Sequence, residues 1–178
     1  MAMKNTIGKK LFYTSCILIV AVVVYNLWPE QKLAPDAKVD FLLVEKSKRT
    51  MKAYRGTQLL KTYKISLGAN PTGHKVFEGD EKTPEGIYTI NDRNPHSGYH
   101  KNLGVSYPNP TDRAKANVIG KSPGGDIKIH GLRNGAFRMI NKLHRLTDWT
   151  NGCIAITNSE VDELYKAVVP NAKIEIKP

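Results

Sequence analysis

Asp148-Trp149-Thr150-Asn151-Gly152-Cys153-Ile154-Ala155-Ile156-Thr157-Asn158 is the stretch that decides how this chain is read. It holds the only cysteine outside an N-terminal apolar run, and Ile129-His130-Gly131 lies upstream, with 23 residues from His130 to Cys153. A lone thiol with a histidine elsewhere in the chain is a candidate nucleophile and base. Working outward, Asp126-Ile127-Lys128-Ile129-His130 alternates polar and apolar residues, which predicts a strand ending at His130. Gly131 then lets other backbone approach closely. Downstream, Thr157-Asn158-Ser159-Glu160 is a capping-box sequence, with Thr157 as N-cap of a helix running through about Ala167. The competing readings are a small buried core residue for Cys153 and a hydrogen-bonded structural residue for His130.

The remaining pattern is mostly β. Val39 to Val44 carries apolar residues in near alternation, and Thr50 to Tyr54 with Gln58 to Ser66 reads as a hairpin around Arg55-Gly56. Leu67 to Gly86 is rich in Gly, Asp, Lys and Pro, hence a loop, and Thr83-Pro84-Glu85-Gly86 turns it into a strand at Ile87 to Ile90. Further strands are predicted at Leu103 to Tyr107 and Ala172 to Ile176, with a short helix at Asp112 to Val118. Ser122-Pro123-Gly124-Gly125 breaks the chain, and the apolar spacing from Ala136 to Leu146 is helical. The expected architecture is mainly β, a sandwich or partly open barrel with two or three short helices. It is preceded by a transmembrane helix.

That helix is predicted from Leu11 to Trp28, which holds 18 residues without a charge. Such a run suffices for a bilayer core of about 30 Å. Lys4, Lys9 and Lys10 precede it with no acidic residue, which orients residues 1–10 to the cytoplasm and sends the chain beyond Trp28 outward. Tyr25-Asn26-Leu27-Trp28-Pro29 stands where a cleavable signal would have small residues, so an uncleaved anchor is favoured over a signal peptide. Residues 29–37 read as a polar linker and 38–178 as one globular domain. Cys16 is a small apolar residue in lipid, out of reach of Cys153. Beyond the membrane most cysteines are paired in disulfides, so a lone Cys153 there requires a reason. Setting aside Lys4, Lys9 and Lys10, the chain carries 24 basic against 16 acidic residues, a balance of +8. Outside the inner membrane such a field favours cell wall or anionic lipid over nucleic acid, and a solvated basic surface is the competing explanation.

The order Ile-His-Gly, a variable insert, Thr-x-Gly-Cys-Ile and an Asn five residues after the Cys resembles the YkuD-like L,D-transpeptidase catalytic domain. Within that family the Asp148 to Asn158 segment is similar to a branch of small murein L,D-transpeptidases of the YafK type. The likeness extends upstream through Val44-Glu45-Lys46-Ser47, Gly73-His74-Lys75, Glu78-Gly79-Asp80, Thr83-Pro84-Glu85-Gly86 and Ser122-Pro123-Gly124-Gly125-Asp126, and so covers roughly residues 38 to 178. The number and order of these strings, rather than any one, make it specific.

The resemblance implies a peptidoglycan enzyme in which Cys153 attacks the peptide bond after diaminopimelate and forms a thioester with the stem peptide. A terminal D-alanine is released. His130 is then the general base, its second nitrogen held by a backbone carbonyl of Gly131 or the following loop, and the backbone N–H groups of Gly152 and Cys153 are the natural oxyanion donors. Gly131, Arg133, Asn134, His144, Thr150 and Asn151 are the candidate substrate contacts, Asp148 and Trp149 fix the approach to the Cys loop, and Asp80, Thr83 and Tyr107 read as turn or strand residues, with lining of the groove as their alternative. An amine acceptor, from another stem or from a wall-attached lipoprotein, gives transfer; water gives hydrolysis. No metal and no organic cofactor is implied, and Asn94-Pro95 and Ser97-Gly98 argue against a helix that would let His96 and His100 ligate zinc together. Two departures stand out. The family's common Gly-Cys-Ile-Arg is Gly152-Cys153-Ile154-Ala155 here, removing a cation that would bind a carboxylate or brace the site, and the long insert carries Lys142, His144 and Arg145 that could replace it. Papain-like peptidases place Cys before His, opposite to this chain. A non-catalytic wall-binding module explains the charge and anchor but not the thiol.

Overall fold

The computed structural model describes residues 2–178, with side chains from Gly8 onward, so Lys4 of the basic flank lies outside the described side chains. Residues up to Glu30 form one compact unit and Gln31–Pro178 another. The first is a single helix, α1 (Ala2–Leu27), whose segment Gly8–Leu27 is long and apolar enough to cross a membrane. Twenty residues at 1.5 Å each give about 30 Å, one bilayer core.

The second unit is one eight-stranded sheet with two short α-helices. Its strands are β1 (Val39–Glu45), β2 (Thr50–Arg55), β3 (Gln58–Lys64), β4 (Gly86–Ser97), β5 (His100–Val105), β6 (Lys128–His130), β7 (Ile154–Ala155) and β8 (Val168–Lys177). They are ordered β3-β2-β1-β8-β4-β5-β6-β7. β4 is the hinge of this arrangement: Gly86 to Thr89 pair with β8, and Ile90 to Ser97 pair with β5 across a register shift. A bulge of that kind bends a strand and increases its twist. The sheet therefore curls until its two ends meet through isolated bridges, Ser66 with Ala155 and Gly68 with Thr150. Of the two expected architectures the partly open barrel is the one formed. Leu42, Met51, Tyr63, Leu103, Ile129 and Ile174 fill its interior, fully buried.

Helix α2 (Pro110–Val118) starts where Asn109 accepts from the Asp112 N–H and Asp112 answers to the Asn109 N–H. Helix α3 (Asn158–Ala167) starts on the expected box, with Thr157 accepting from the Glu160 N–H and Glu160 from the Thr157 N–H. It packs its apolar face on β5 and β6. Two expectations are revised. The Ala136 to Leu146 segment is not an α-helix but 3₁₀ turns over Gly135–Leu146, broken at Asn141, whose φ of 41° and ψ of −118° lie outside helical space. β4 continues well past Ile90 to Ser97, because Pro95 falls in the irregular stretch between Asn94 and Ser97 where no ladder pairing is demanded of it. The linker is also tethered: Leu33 is buried in the core, and its N–H donates to Glu163 Oε2 on α3 at 3.0 Å, while Glu163 also binds the buried Lys61.

Candidate active site

Strand β6 is what brings the histidine to the cysteine. β6 and β7 run parallel, with Ile129 opposite Ile154 and His130 opposite Ala155. Ile129 and Ile154 point into the core, so by the two-residue period of a strand Lys128, His130 and Cys153 share the other face. Neighbouring strands lie about 4.8 Å apart, so His130, two residues along from the position opposite Cys153, stands diagonal to it on the same face. Both line a cleft of about 450 Å³.

The turn that presents Cys153 is locked from several directions. Thr150 Oγ1 donates to the Cys153 carbonyl at 2.7 Å and accepts from the Gly152 N–H at 3.1 Å. Gly152 has φ +126°, and a Cβ there would stand 2.6 Å from the Lys82 carbonyl, so neither its dihedral nor its surroundings admit a side chain. On the far side Ser66 exchanges both backbone hydrogen bonds with Ala155, and Thr150 N–H donates to the Leu67 carbonyl at 3.1 Å. Asp148 accepts from Leu67 N–H at 2.9 Å and pairs with Arg49 at 2.8 Å, fixing the approach to the turn.

The loop from Leu67 to Gly86 braces the same turn from below. Asp80 accepts from the buried Lys75 ammonium at 2.8 Å and from the N–H groups of Val76, Phe77 and Lys82, which hold its carboxyl below the ordinary range against the cost of burial. Thr83 Oγ1 accepts from Gly68 N–H at 3.0 Å. The buried Lys46 ammonium donates to the carbonyls of Gly73 and Thr83 and to Glu85. The Gly73, Asp80 and Thr83 strings thus support the Cys turn and do not line the cleft.

His130 is 5% exposed, and its Nδ1 lies 2.6 Å from the Gly131 carbonyl. A carbonyl only accepts, so Nδ1 carries the proton and Nε2 is left as the basic nitrogen. Burial pushes its pKa down to about 4, opposed by the Gly131 carbonyl and reinforced by the nearby Lys128 charge. Burial likewise pushes the Cys153 thiol up, although the Lys128 N–H and ammonium favour the thiolate. The thiol donates to the Asp126 carbonyl at 3.4 Å. Both groups are therefore neutral at pH 7 in the resting protein. Gly131 is required for its contacts: a Cβ would stand 2.6 Å from Asn158 Oδ1, which accepts from Leu132 N–H and pins the loop after the histidine.

The structure separates the remaining candidates. Thr150 is the brace of the turn, and Asn151 is exposed on the rim of the cleft. Asn134 does not face the cleft: its side chain donates to the Ser97 carbonyl and accepts from His100 N–H, clipping the β4–β5 hairpin to the loop after β6. His144 lies behind the cleft wall, buried against Ser66 at 3.1 Å and edge-on to Trp149, with its pKa pushed down to about 3 by burial. Arg133 is exposed and outside the cleft lining, because the buried Leu132 before it turns the chain outward. Arg145 cannot stand in for the family's arginine, since it forms a buried pair with Glu160 at 2.8 Å; Lys142 is buried too. His100 pairs with Asp162 at 3.0 Å, and among the described residues no three His, Cys, Asp or Glu side chains are placed to hold a metal ion.

Sequence reading missed the cleft walls. Tyr99 and Trp149 are stacked at 6.2 Å, and the His130 ring sits 4.7 Å from Tyr99 and 5.8 Å from Trp149. Asn102, opposite His130 on β5, is buried with no partner for its Oδ1 among the described residues. Lys128 completes the lining.

The YkuD family model, described as the L,D-transpeptidase catalytic domain, matches residues 40–176. The chain belongs to the YkuD family of L,D-transpeptidase catalytic domains. It is 30% identical to the candidate L,D-transpeptidase YafK of Escherichia coli (strain K12), over 78% of this chain and 53% of that protein. Among solved structures of similar fold, the helical cell shape determining protein Pgp2 from Campylobacter jejuni is 28% identical with a TM-score of 0.59, over 80% of this chain and 48% of that one. Bd1075 of Bdellovibrio bacteriovorus shares the fold at 22% identity and a TM-score of 0.54, over 83% and 51% of the two chains. This YkuD chain thus spans about half the length of the curated relatives it matches. The matched segment contains every element that builds the cleft.

Proposed function

We propose that this YkuD domain is a cell-wall cysteine acyltransferase, held at the bacterial inner membrane by residues 11–28 with residues 38–178 as its catalytic domain in the periplasm. The observation that carries the reading is the pairing of β6 with β7, which sets an Nδ1-protonated His130 beside Cys153 at the floor of an open cleft. The reaction begins with a rotation of the thiol from the Asp126 carbonyl toward His130 Nε2; such contacts commonly tighten only with substrate bound. His130 takes the thiol proton as sulfur attacks the stem-peptide carbonyl after diaminopimelate. The C–N bond breaks, His130 returns the proton to the departing D-alanine nitrogen, and a thioester remains on Cys153. An amine of another stem, or of a lipoprotein, attacks the thioester and loses its proton to His130; the C–S bond breaks as the new C–N bond forms, and His130 returns the proton to the released Cys153 sulfur.

The tetrahedral oxyanion needs donors in place beforehand. The Gly152 N–H is already given to Thr150 Oγ1, so the role falls to the Cys153 N–H, a contribution of about 3 kcal/mol for one such donor. Hydrolysis is the second reading, favoured by the exposure of Asp126 and Asn151 beside the sulfur, which lets water reach the thioester. The test is incubation of the full chain in detergent with disaccharide-tetrapeptide, or with wall carrying attached lipoprotein, read by mass spectrometry against Cys153→Ala. Cross-linked dimers are expected. Shortened stems or released lipoprotein without dimers would make it a hydrolase, and no Cys153-dependent product would refute the catalytic reading.

A further inference from the structure

The cleft contains one ammonium side chain, which the thioester scheme leaves unused. Among the described residues that line it, Lys128 is the single lysine or arginine. One step back from the Ile129–Ile154 pair, the β6–β7 register sets Lys128 beside Cys153, and the Lys128 N–H faces the sulfur. Its acidic neighbour holds it loosely: Nζ is 3.5 Å from Asp126 Oδ1, on a side chain that is 90% exposed. An exposed pair of that length is worth little and yields easily to a better anion. Across the sheet, the family's arginine position is the buried Ala155, opposite His130, so β7 supplies no cation and β6 does.

The chemistry of an acyl donor gives that charge an occupant. In a peptide cut before its last residue, the terminal carboxylate carbon is three bonds from the carbonyl that sulfur attacks. Whatever pose puts that carbonyl on Cys153 also puts the carboxylate within a few ångströms of it, in the reach of a lysine on the neighbouring residue pair. A compact ammonium on a flexible stem suits a single carboxylate without demanding bidentate geometry.

We infer that Lys128 is the residue that binds the terminal carboxylate of the acyl donor and through which this site tells a free carboxylate one residue beyond the scissile bond from a blocked one. This rests on the thioester reading above and adds to it the side chain that recognises the donor. A purely electrostatic or structural lysine would change the rate for every donor alike. A carboxylate receptor discriminates between donors.

The experiment uses the full chain in detergent and two tetrapeptides differing only in a C-terminal carboxylate or carboxamide, which give the same thioester. Wild type is expected to favour the carboxylate by about tenfold to a hundredfold in kcat/KM, chiefly through KM, the span of a charge-assisted hydrogen bond. Lys128→Met brings the ratio close to one and Lys128→Arg restores most of it. The affinity ratio of the two peptides for Cys153→Ala, with and without Lys128→Met, gives the same comparison without turnover. Equal use of both peptides by wild type, or an undiminished ratio in either Lys128→Met measurement, would overturn the inference and leave the thioester reading standing. Failure of wild type to turn over either peptide overturns that reading instead.

Discussion

Lowering the pH from 7 to 4 protonates His130 in the unfolded chain long before it does so in the folded one. The unfolded imidazole titrates near 6.5, the folded one at about 4, because burial strips the imidazolium of water and Lys128 repels it. Between those values the unfolded state binds a proton that the folded state refuses, so stability falls as pH falls. At 1.36 kcal/mol per unit, the gap from 6.5 to about 4 is worth about 3 kcal/mol, intact above pH 6.5 and lost by pH 4. Urea midpoints of the wild type and of His130→Asn, followed by near-ultraviolet circular dichroism from pH 7 to 4, measure it. His144 titrates in both proteins with the same sign, so the difference between the curves reports His130. In the proposed mechanism the same burial also sets the activity profile. A base with a pKa of about 4 paired with a raised thiol stays competent down to about pH 4, whereas a preformed thiolate–imidazolium pair needs a protonated His130 at neutral pH. Parallel stability curves, or a kcat/KM that already falls through pH 6.5, would refute the neutral-pair reasoning.

Arg145→Met strands Glu160 in a pair that is 7% and 3% exposed, and thermal denaturation should record a loss of about 3–5 kcal/mol. Gly152→Ala forces a Cβ to 2.6 Å from the Lys82 carbonyl at φ +126°, so the expected outcome is a displaced Cys turn. Acylation by a thiol-directed probe should then fall by at least about tenfold, the cost of a misplacement near 1 Å being of order a hundredfold. Asp80→Ala removes the buried partner of Lys75 and three loop hydrogen bonds; a chemical-denaturation loss of about 3 kcal/mol or more is expected, with Cys153 reactivity falling as the brace loosens.

The capping box at Thr157 was legible because it satisfies orphan N–H groups by purely local contacts, and α3 starts where those contacts put it. The hairpin at Arg55-Gly56 was legible for the same reason: Gly56 has φ +55° and the strands on either side pair directly. The insert from Gly135 to Leu146 was not, since its apolar spacing fits a helix while the Arg145–Glu160 pair, the buried Lys142 and the buried His144 impose tertiary demands that an α-helix would not meet together. The order of strands was hidden for a related reason. Nothing in a linear pattern reveals that Ser66 and Ala155, 89 residues apart, exchange hydrogen bonds and close the barrel.

The candidate site shows the same division between local and distant signals. The strings upstream of residue 86 that carried the family resemblance turn out to hold a loop against the Cys turn, with Lys46, Lys75, Asp80 and Thr83 buried and hydrogen-bonded to that loop's backbone or, for Lys75 and Asp80, to each other. Such a brace has to be specific because a turn with Gly152 at φ +126° has no local preference of its own to hold it. Lys128 had a local signal after all. It stands two residues before His130 on a strand, and the period of two puts any side chain at that spacing on the face of the base. Lys142, His144 and Arg145 are closer in sequence to Cys153 than Lys128 is, yet the sheet register brings Lys128 to its side and leaves those three outside the cleft. Distance in this fold is set by register, and the residue facing the sulfur is the one that the β6–β7 pairing supplies.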